Sequence, residues 1–254
     1  MQKAEKKVKA VVFDLGYTLI NFSGNLDKVA RASHLALVDY LIQLGYDLDR
    51  EAFAERFSEL MHLYYAQRER DMLEMPVHGI VLHALEDLAA NSPTKDQVAA
   101  AIHEMYLVTE KYWKLEEDTL PTLDSLQKMG YQLGLITNAS DAWDVNNLID
   151  ENNLRHYFSA IVISAEEGFR KPDRRIFEKA AERLHLQFNE MVMVGDTLHA
   201  DILGAKQCGM KTVWISRRAE YSREMLKSRL DLTPDSEVHA LHELPALLES
   251  WNTN

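Results

Sequence analysis

The sequence contains very little cysteine, with Cys208 alone among 254 residues. A disulfide within the chain is therefore excluded, and nothing requires an oxidising compartment. Cys208 lies in the segment AKQCGM, among small and apolar residues, and no base stands beside it in the sequence. We therefore interpret it as a buried, unreactive thiol.

Long hydrophobic runs and excess positive charge are also missing. No run approaches the roughly 20 apolar residues of a membrane span. The opening segment MQKAEKKVKA lacks the apolar stretch of about 7–15 residues that a secretory signal needs. Lys and Arg number 28 against 40 Asp and Glu, for a net charge of -12, which opposes binding to nucleic acid and anionic membranes. We expect a cytoplasmic protein that binds neither nucleic acid nor membranes.

Apolar runs at six places predict strands. They are KAVVFDL (9–15), YQLGLITN (131–138), AIVIS (160–164), MVMVGD (191–196), KTVWIS (211–216) and, more weakly, EVHAL (237–241). Most are continuously apolar, which is typical of parallel strands buried on both faces. Helical stretches such as TLPTLDSLQKMG, DRRIFEKAAERLHL and DILGAKQCGM alternate with the later runs. The sequence therefore predicts an α/β fold with a doubly wound parallel sheet.

The segment between the first two strands breaks this alternation. Residues 26–113 contain long stretches with helical spacing and no strand-like run. Thr94, after Ser92-Pro93, is a predicted N-cap within it. We expect an all-helical insertion at residues 23–115, joined by two crossings to a core of residues 1–22 and 116–254.

Polar residues follow four of the strands, where ligands of an open α/β sheet bind. They are Asp14 and Thr18, then Thr137-Asn138, then Arg170-Lys171-Pro172-Asp173, and finally Gly195-Asp196 with Asp201. Each has an ordinary alternative: Asp196 could cap a helix that begins near Leu198, and Thr-Asn is a common turn pair. Their order at four strand ends indicates instead an anion site that contains a metal.

The chemistry of such a site is consistent with phosphate. A carboxylate that attacks a phosphate dianion meets like-charge repulsion, so the reaction requires a divalent cation and fixed hydrogen-bond donors. Mg²⁺ prefers oxygen ligands from a few carboxylates, which Asp14 and Asp196 could supply. The Thr137 hydroxyl would hold phosphate oxygens and Lys171 would neutralise the growing charge. We also count Thr18 among the candidate substrate-binding residues.

These residues resemble the motifs of the haloacid dehalogenase superfamily, in its phosphatase-like branch with an inserted helical cap. The motifs are FDLGYTL (13–19), LITN (135–138), RKPD (170–173) and VGDTLHAD (194–201). The resemblance implies a Rossmann-like core, a cap that selects the substrate, and phosphate-ester hydrolysis through an aspartyl-phosphate on Asp14. It also implies a set of ligands: Mg²⁺ on Asp14, Asp196, Asp201 and the carbonyl of Gly16, and phosphate on Thr137 and Lys171 with help from Asn138.

Position 16 departs from the family pattern. Phosphatases of the family carry a second Asp two residues after the nucleophile, which protonates the leaving group, whereas this chain has Gly16. Such proton transfer typically contributes about 10²–10⁴-fold. We therefore expect no phosphomutase activity and a preference for aryl or acyl phosphates, unless another group supplies the proton. The candidates are His199, His78, His83, Tyr17 and a metal-bound water.

Other functions compete with phosphate hydrolysis. Haloacid dehalogenation uses the same nucleophile without a metal and also lacks the second acid, but it has no use for Asp196 and Asp201. A non-catalytic module that binds a phosphometabolite or a protein is favoured by Gly16 and opposed by the complete set of nucleophile and metal ligands. A phosphonate-cleaving relative needs an imine-forming lysine in the cap, for which the candidates are Lys28, Lys95, Lys111 and Lys114.

The insertion does not identify the substrate beyond a small phosphorylated metabolite. Its aromatic and Met residues could line a substrate pocket, or could pack inside the helices or against a second subunit. They include Met61, Tyr64, Tyr65, Met72 and Met75. Both a monomer and a homodimer are compatible with the sequence.

Overall fold

The computed structural model describes residues 8–88, 93–218 and 229–253. Its strands are β1 (Ala10–Phe13), β2 (Ile20–Phe22), β3 (Trp113–Leu115), β4 (Gln132–Thr137), β5 (Ala160–Ile163), β6 (Met191–Gly195), β7 (Lys211–Ile215) and β8 (Ser236–Val238). In the described ranges, six strands form one parallel sheet in the order β5-β4-β1-β6-β7-β8. The predicted sheet is confirmed, and β1 lies in its centre between β4 and β6.

Helices cover the sheet and form the insertion. The insertion contains α1 (Leu26–Gln43), α2 (Arg50–Asp71), α3 (Val77–Leu88) and α4 (Lys95–Glu110). The core contains α5 (Thr119–Lys128), α6 (Ala142–Glu151), α7 (Ser164–Glu167), α8 (Arg174–Leu184), α9 (Gly204–Cys208) and α10 (Leu244–Thr253). A π-helical turn at Leu198–Leu203 precedes α9, so the predicted helix DILGAKQCGM is helical but not uniformly α-helical.

Both faces of the sheet are buried, which explains the continuously apolar strand sequences. Successive side chains of a strand point to opposite faces. Val11 and Phe13 of β1 therefore join one apolar cluster, whereas Ala10 and Val12 join the cluster on the other face. None of the four side chains reaches solvent, so a polar residue in this strand would have no hydrated face to occupy.

The insertion has an apolar core of its own. Phe53 and Phe57 of α2 are fully buried in a cluster that draws side chains from α1, α2, α3 and α4. At the start of α4 the predicted cap is confirmed, because Thr94 accepts a hydrogen bond from the Gln97 N–H while the Gln97 side chain accepts one from Thr94. The helices can therefore pack as a unit without apolar surface from the sheet.

Two short strands flank the insertion, and sequence reasoning missed both. β2 and β3 pair antiparallel, with Ile20 opposite Leu115 and Phe22 opposite Trp113. Each has only three residues, too few to show a periodic pattern. The two chain segments that connect the insertion to the core therefore lie side by side as a two-stranded ribbon at the base of the insertion.

A further contact joins the insertion to the core, away from the ribbon. The segment between α2 and α3 runs beside the core loop that precedes Lys171. The Glu74 N–H donates to the Gly168 carbonyl at 3.1 Å, and the Arg170 N–H donates to the Met72 carbonyl at 3.2 Å. This contact closes one side of the space between the helices and the sheet.

Two expectations from composition can be checked on the described residues. Cys208 is buried, and burial raises the pKa of its thiol to about 11, so little thiolate exists at neutral pH. Within the described ranges, no helix combines the length and the apolar character that crossing a bilayer demands.

Candidate active site

The carboxyl ends of the central strands open into a cavity of about 630 Å³ under the helical insertion. Asp14, Thr137 and Lys171 line it from the core, and Met61 and Tyr65 line it from α2. Its volume lies within the range of about 300–1,000 Å³ that is usual for small-molecule sites. The cavity therefore lies where an open α/β sheet binds its ligands.

Lys171 is buried at the floor of this cavity between two carboxylates. Its Nζ donates to Asp14 Oδ1 at 2.6 Å, to Asp201 Oδ1 at 2.6 Å and to the Ile136 carbonyl at 2.8 Å. These contacts use all the donors of an ammonium group. Burial lowers the pKa of Lys171, but Asp14 and Asp201 outweigh it and the net direction is upward, so the lysine stays charged.

Three carboxylates converge beside this lysine. Oxygen atoms of Asp14, Asp196 and Asp201 lie within 4.8 Å of one another. With one ammonium among three acids, the cluster retains excess negative charge. Carboxylate oxygens at this spacing are the donor set that Mg²⁺ accepts, with water and substrate completing its coordination. The residues at this site therefore fit a divalent cation.

The electrostatics of the cluster support the same conclusion. Burial, followed by the charges of Asp14 and Asp201, raises the pKa of Asp196 to about 7. Burial also raises the pKa of Asp201 to about 6, with Lys171 opposing the shift and Asp14 adding to it. Ionised carboxylates repel one another here, and a bound divalent cation would relieve that repulsion.

The loop after β6 is built to bring Asp201 and Asp196 to this point. A side chain at Gly195 would overlap the Asp201 carboxylate, so only glycine allows the π-helical turn to approach the strand end. The Thr197 N–H donates to Asp201 Oδ2 at 3.0 Å, and Trp214 Nε1 donates to the Asp196 carbonyl at 2.8 Å. The interpretation of Asp196 as a helix cap is wrong, because Thr197 occupies the position before the helical turn.

The loop after β4 is joined directly to the loop that carries Lys171. The Asn138 side chain accepts from the Lys171 N–H at 2.8 Å and donates to the Lys171 carbonyl at 3.0 Å. This pair of bonds fixes the backbone from which the lysine extends and engages both polar atoms of the amide. Thr137, at the end of β4, is 5% exposed and lines the cavity.

The structure brings most of the predicted site residues together, but not all. Asp14, Gly16, Thr137, Asn138, Lys171, Asp196 and Asp201 all line the cavity, and so do the candidate proton donors Tyr17 and His199. Thr18 is fully buried and does not reach the cavity lining, so its predicted contact with substrate has no support. The candidates from the sequence that also lie outside the lining are His78, His83, Tyr64, Met72, Met75, Lys28, Lys95, Lys111 and Lys114.

Two arginines to which the sequence analysis gave no role of their own also line the cavity. Arg68 belongs to α2 of the insertion, and Arg170 immediately precedes Lys171 in the core. Arg68 lies in the run AQRERD, whose charged composition is that of a solvated helix face. Arg170 could have been suspected as a cavity residue because it precedes Lys171. However, neighbouring side chains in an extended segment usually point in different directions.

We expect Lys171→Met to lower the free energy of unfolding by about 3–5 kcal/mol, because it leaves two buried carboxylates without their shared cation. Mg²⁺ is expected to restore part of this loss, since it would bind the native carboxylate cluster and not the unfolded chain. Urea unfolding of the variant and the parent, with and without MgCl₂, measures both effects.

The matched control for this experiment is Lys179→Met on α8. Lys179 pairs with Glu182 at 3.2 Å on an exposed face, where an ion pair contributes little to stability. An unfolding midpoint for Lys171→Met as high as that of this control would contradict the assignment of Lys171 as the cation that balances Asp14 and Asp201.

Comparison with known proteins supplies independent evidence. A family model described as haloacid dehalogenase-like hydrolase matches residues 8–209. The glyceraldehyde 3-phosphate phosphatase of Methanopyrus kandleri is 33% identical over 237 residues, which cover 93% of this chain and 95% of that protein.

Solved structures with the same fold carry the names of two different hydrolases. A HAD phosphatase from Thermococcus onnurineus aligns with a TM-score of 0.65 and 27% identity, over 95% of this chain and 98% of that one. A 2-haloacid dehalogenase from Pseudomonas syringae aligns with a TM-score of 0.67 and 27% identity, over 96% of this chain and 99% of that one.

Proposed function

Because the chain belongs to the haloacid dehalogenase-like hydrolases, we propose that it is a Mg²⁺-dependent phosphohydrolase that acts on a small phosphorylated metabolite through an aspartyl-phosphate. The observation that carries this proposal is the convergence of Asp14, Asp196 and Asp201 around the Lys171 ammonium at the floor of the cavity. The relative named as a phosphatase supports the choice of phosphate.

In the proposed reaction, a carboxylate oxygen of Asp14 attacks phosphorus as the bond from phosphorus to the leaving oxygen breaks. Lys171 holds Asp14 Oδ1, which leaves the other oxygen to form the bond. Thr137 donates to a phosphate oxygen, and water then hydrolyses the acyl phosphate and regenerates Asp14. Mg²⁺ held by Asp14, Asp196, Asp201 and the Gly16 carbonyl would supply the positive charge that offsets repulsion between carboxylate and phosphate.

Proton donation to the leaving group needs a residue other than position 16, which carries no acid. Tyr17, His199 and Asp144 line the cavity. Burial, followed by the charge of Glu110, raises the pKa of Asp144 well above its usual range, which favours its protonated form. Burial and Asp196 raise the pKa of Tyr17. We propose that none of these groups replaces the family's acid in full, so that leaving groups which depart unprotonated react best.

This proposal predicts a strong preference among substrates, with hydrolysis that depends on Mg²⁺. Para-nitrophenyl phosphate is expected to react with a kcat/KM about 10²-fold or more above that of simple alkyl phosphates, because its phenolate needs no proton. Steady-state rates on both classes, with Mg²⁺ or with EDTA, measure this preference. Equal kcat/KM on aryl and alkyl phosphates would contradict the proposal that the enzyme lacks a proton donor for the leaving group. Full activity in EDTA would contradict the proposed requirement for Mg²⁺.

Metal-independent dehalogenation is the second candidate function. Gly16 favours it, because a dehalogenase has no need for an acid at that position, and a structural neighbour is named a 2-haloacid dehalogenase. The acid pair Asp196 and Asp201 opposes it. Chloride release from 2-chloropropionate in EDTA, without phosphatase activity in Mg²⁺, would establish dehalogenation in place of our proposal.

We further propose that residues 23–115 act as a cap that selects the substrate and closes over the core of residues 1–22 and 116–254. The β2–β3 ribbon at its base supports this role, since it is a narrow connection about which the helices could turn. A non-catalytic binding module is less well supported, because such a module has no need for the nucleophile and the acid cluster together. Cytoplasmic residence stays a prediction from the sequence.

A further inference from the structure

Two arginines face the cavity from opposite sides of the junction between cap and core. Arg68 extends from α2, and its side chain is 20% exposed. Arg170 extends from the loop before Lys171, and its side chain is 8% exposed. Both line the cavity, so the two residues form part of the surface that a bound metabolite would meet.

One buried carboxylate lies between these arginines, and its oxygens are already occupied. The side chain of Glu74 has no exposed surface. Its Oε1 accepts from the Tyr64 hydroxyl and from Arg68 Nη1 at 3.4 Å, while its Oε2 accepts from the Ser164 hydroxyl at 2.8 Å and lies 3.7 Å from Arg170 Nη1. Glu74 therefore balances one of the two positive charges and leaves the other.

The remaining acidic partner is too exposed to balance that second charge. Glu69 lies 3.1 Å from Arg170 Nη2 and 3.9 Å from Arg68 Nε, and it also lines the cavity. Its side chain is 60% exposed, so solvent screens its charge. Burial, followed by repulsion from Arg68, lowers the pKa of Arg170. Glu74 is shared by both arginines and Glu69 is exposed to solvent, so the positive charge of the pair is only partly balanced.

The guanidinium groups also retain donors that the protein does not use. Within the described ranges, Arg68 Nε, Arg170 Nε and Arg170 Nη1 are buried without a hydrogen-bond acceptor. Buried polar groups are nearly always paired, and a guanidinium presents its donors as a fork that matches a carboxylate or a phosphate. The cavity lining includes both arginines but not Glu74, so an anion in the cavity would offer these guanidinium groups further acceptors.

This pair adjoins the phosphate site through both of its loops. Arg170 is the residue before Lys171, whose ammonium holds Asp14. Arg68 Nη1 donates to the Ser140 hydroxyl at 2.8 Å, and Ser140 follows Thr137 by three residues in the loop after β4. One small molecule in the cavity could therefore contact the phosphate site at one end and the arginines at the other.

We propose that Arg68 and Arg170 form a second anion subsite, and that the substrate class is a phosphate monoester with a further anionic group, carboxylate or phosphate. The proposal rests on the proposed function, which places the reacting phosphate at Asp14. The subsite makes substrate selection depend on both domains, since Arg68 comes from the cap and Arg170 from the core.

The test compares matched substrates on the same enzyme preparations. We would measure kcat/KM for 3-phosphoglycerate, for the bisphosphate of 1,3-propanediol, and for glycerol 3-phosphate as the compound without a second anion. The proteins are the parent, Arg68→Met, Arg170→Gln and the control Arg56→Met, an arginine of α2 outside the cavity lining. Each cavity variant leaves Glu74 with one arginine, and a ratio of two substrates does not depend on the folded fraction.

The parent is expected to prefer at least one doubly anionic substrate by about tenfold or more, and each cavity variant to lose about tenfold of that preference. Arg56→Met is expected to keep it. Preference for 3-phosphoglycerate alone identifies a carboxylate subsite, and preference for the bisphosphate alone identifies a phosphate subsite. A parent that favours glycerol 3-phosphate, or a ratio that neither cavity variant changes, would overturn the proposal.

Calorimetric binding separates this inference from the proposed function. The Asp14→Asn protein, with and without Arg68→Met, would be titrated with 3-phosphoglycerate, with the bisphosphate and with glycerol 3-phosphate. If the parent hydrolyses nothing but the Asp14→Asn protein binds a doubly anionic compound more tightly in an Arg68-dependent way, the phosphatase proposal fails and the subsite stands. Binding without preference for a second anion would refute the subsite whatever the turnover.

Discussion

Asp14→Asn is expected to lower phosphohydrolase activity by a factor on the order of 10⁴ or more, as removal of a covalent nucleophile does. The amide has nearly the shape of the carboxylate, but its oxygen is a poor nucleophile and carries no charge. The variant also loses the anion that Lys171 binds at 2.6 Å. Hydrolysis of para-nitrophenyl phosphate in saturating Mg²⁺ measures the loss, and the variant serves as the blank for every substrate screen.

The control for this variant is Asp47→Asn, an exposed aspartate outside the cavity lining. It changes the net charge by the same amount and is expected to keep full activity. Acid quenching of the parent during turnover should trap phosphate on Asp14 as an acyl phosphate that hydroxylamine cleaves. If Asp14→Asn retained activity near that of Asp47→Asn, the nucleophile would lie elsewhere and the proposed reaction would fail.

The strands and their parallel sheet were predictable because burial on both faces leaves a strong pattern in sequence. Val11, Val12 and Phe13 have no alternating polar positions since helices cover both faces of the sheet. The approach of Asp14 to Lys171 was predictable for a related reason. Parallel strands place their carboxyl ends at one edge, so residues 157 positions apart in the chain come within hydrogen-bond distance.

The parts of the site that could not be predicted depend on contacts between domains. Arg68 belongs to a helix whose charged sequence is typical of an exposed face, and only the packing of cap against core turns its side chain into the cavity. The burial of Thr18 shows the reverse case. It stands four residues after Asp14, yet the backbone turns through Tyr17 at a φ of 57°, and Thr18 points into the interior.

Gly16→Asp is expected to raise hydrolysis of alkyl phosphates by about 10²-fold or more, by restoring the acid that protonates the leaving oxygen. The fold has room for this side chain. A Cβ at position 16 would lie 3.6 Å from its nearest neighbour, Trp113 Cη2, and Gly16 is not among the glycines with positive φ. Neither space nor backbone conformation therefore requires glycine at position 16, so the fold does not explain why the acid is missing. Rates on glycerol 3-phosphate in Mg²⁺ test this expectation.

The change in rate caused by substitutions at position 16 shows whether protonation of the leaving group limits the reaction of the parent. Gly16→Asn adds a side chain of the same shape without a proton to give, and it is expected to leave alkyl phosphate hydrolysis no faster than in the parent. Para-nitrophenyl phosphate should gain little from Gly16→Asp, because its phenolate departs unprotonated. If the aspartate accelerates neither substrate, then a group already in the cavity donates the proton, and Asp144, Tyr17 and His199 are the side chains to replace next. In that case the parent should also show no preference for aryl over alkyl phosphates. Both the effect of Gly16→Asp and this preference depend on whether the parent protonates its leaving group.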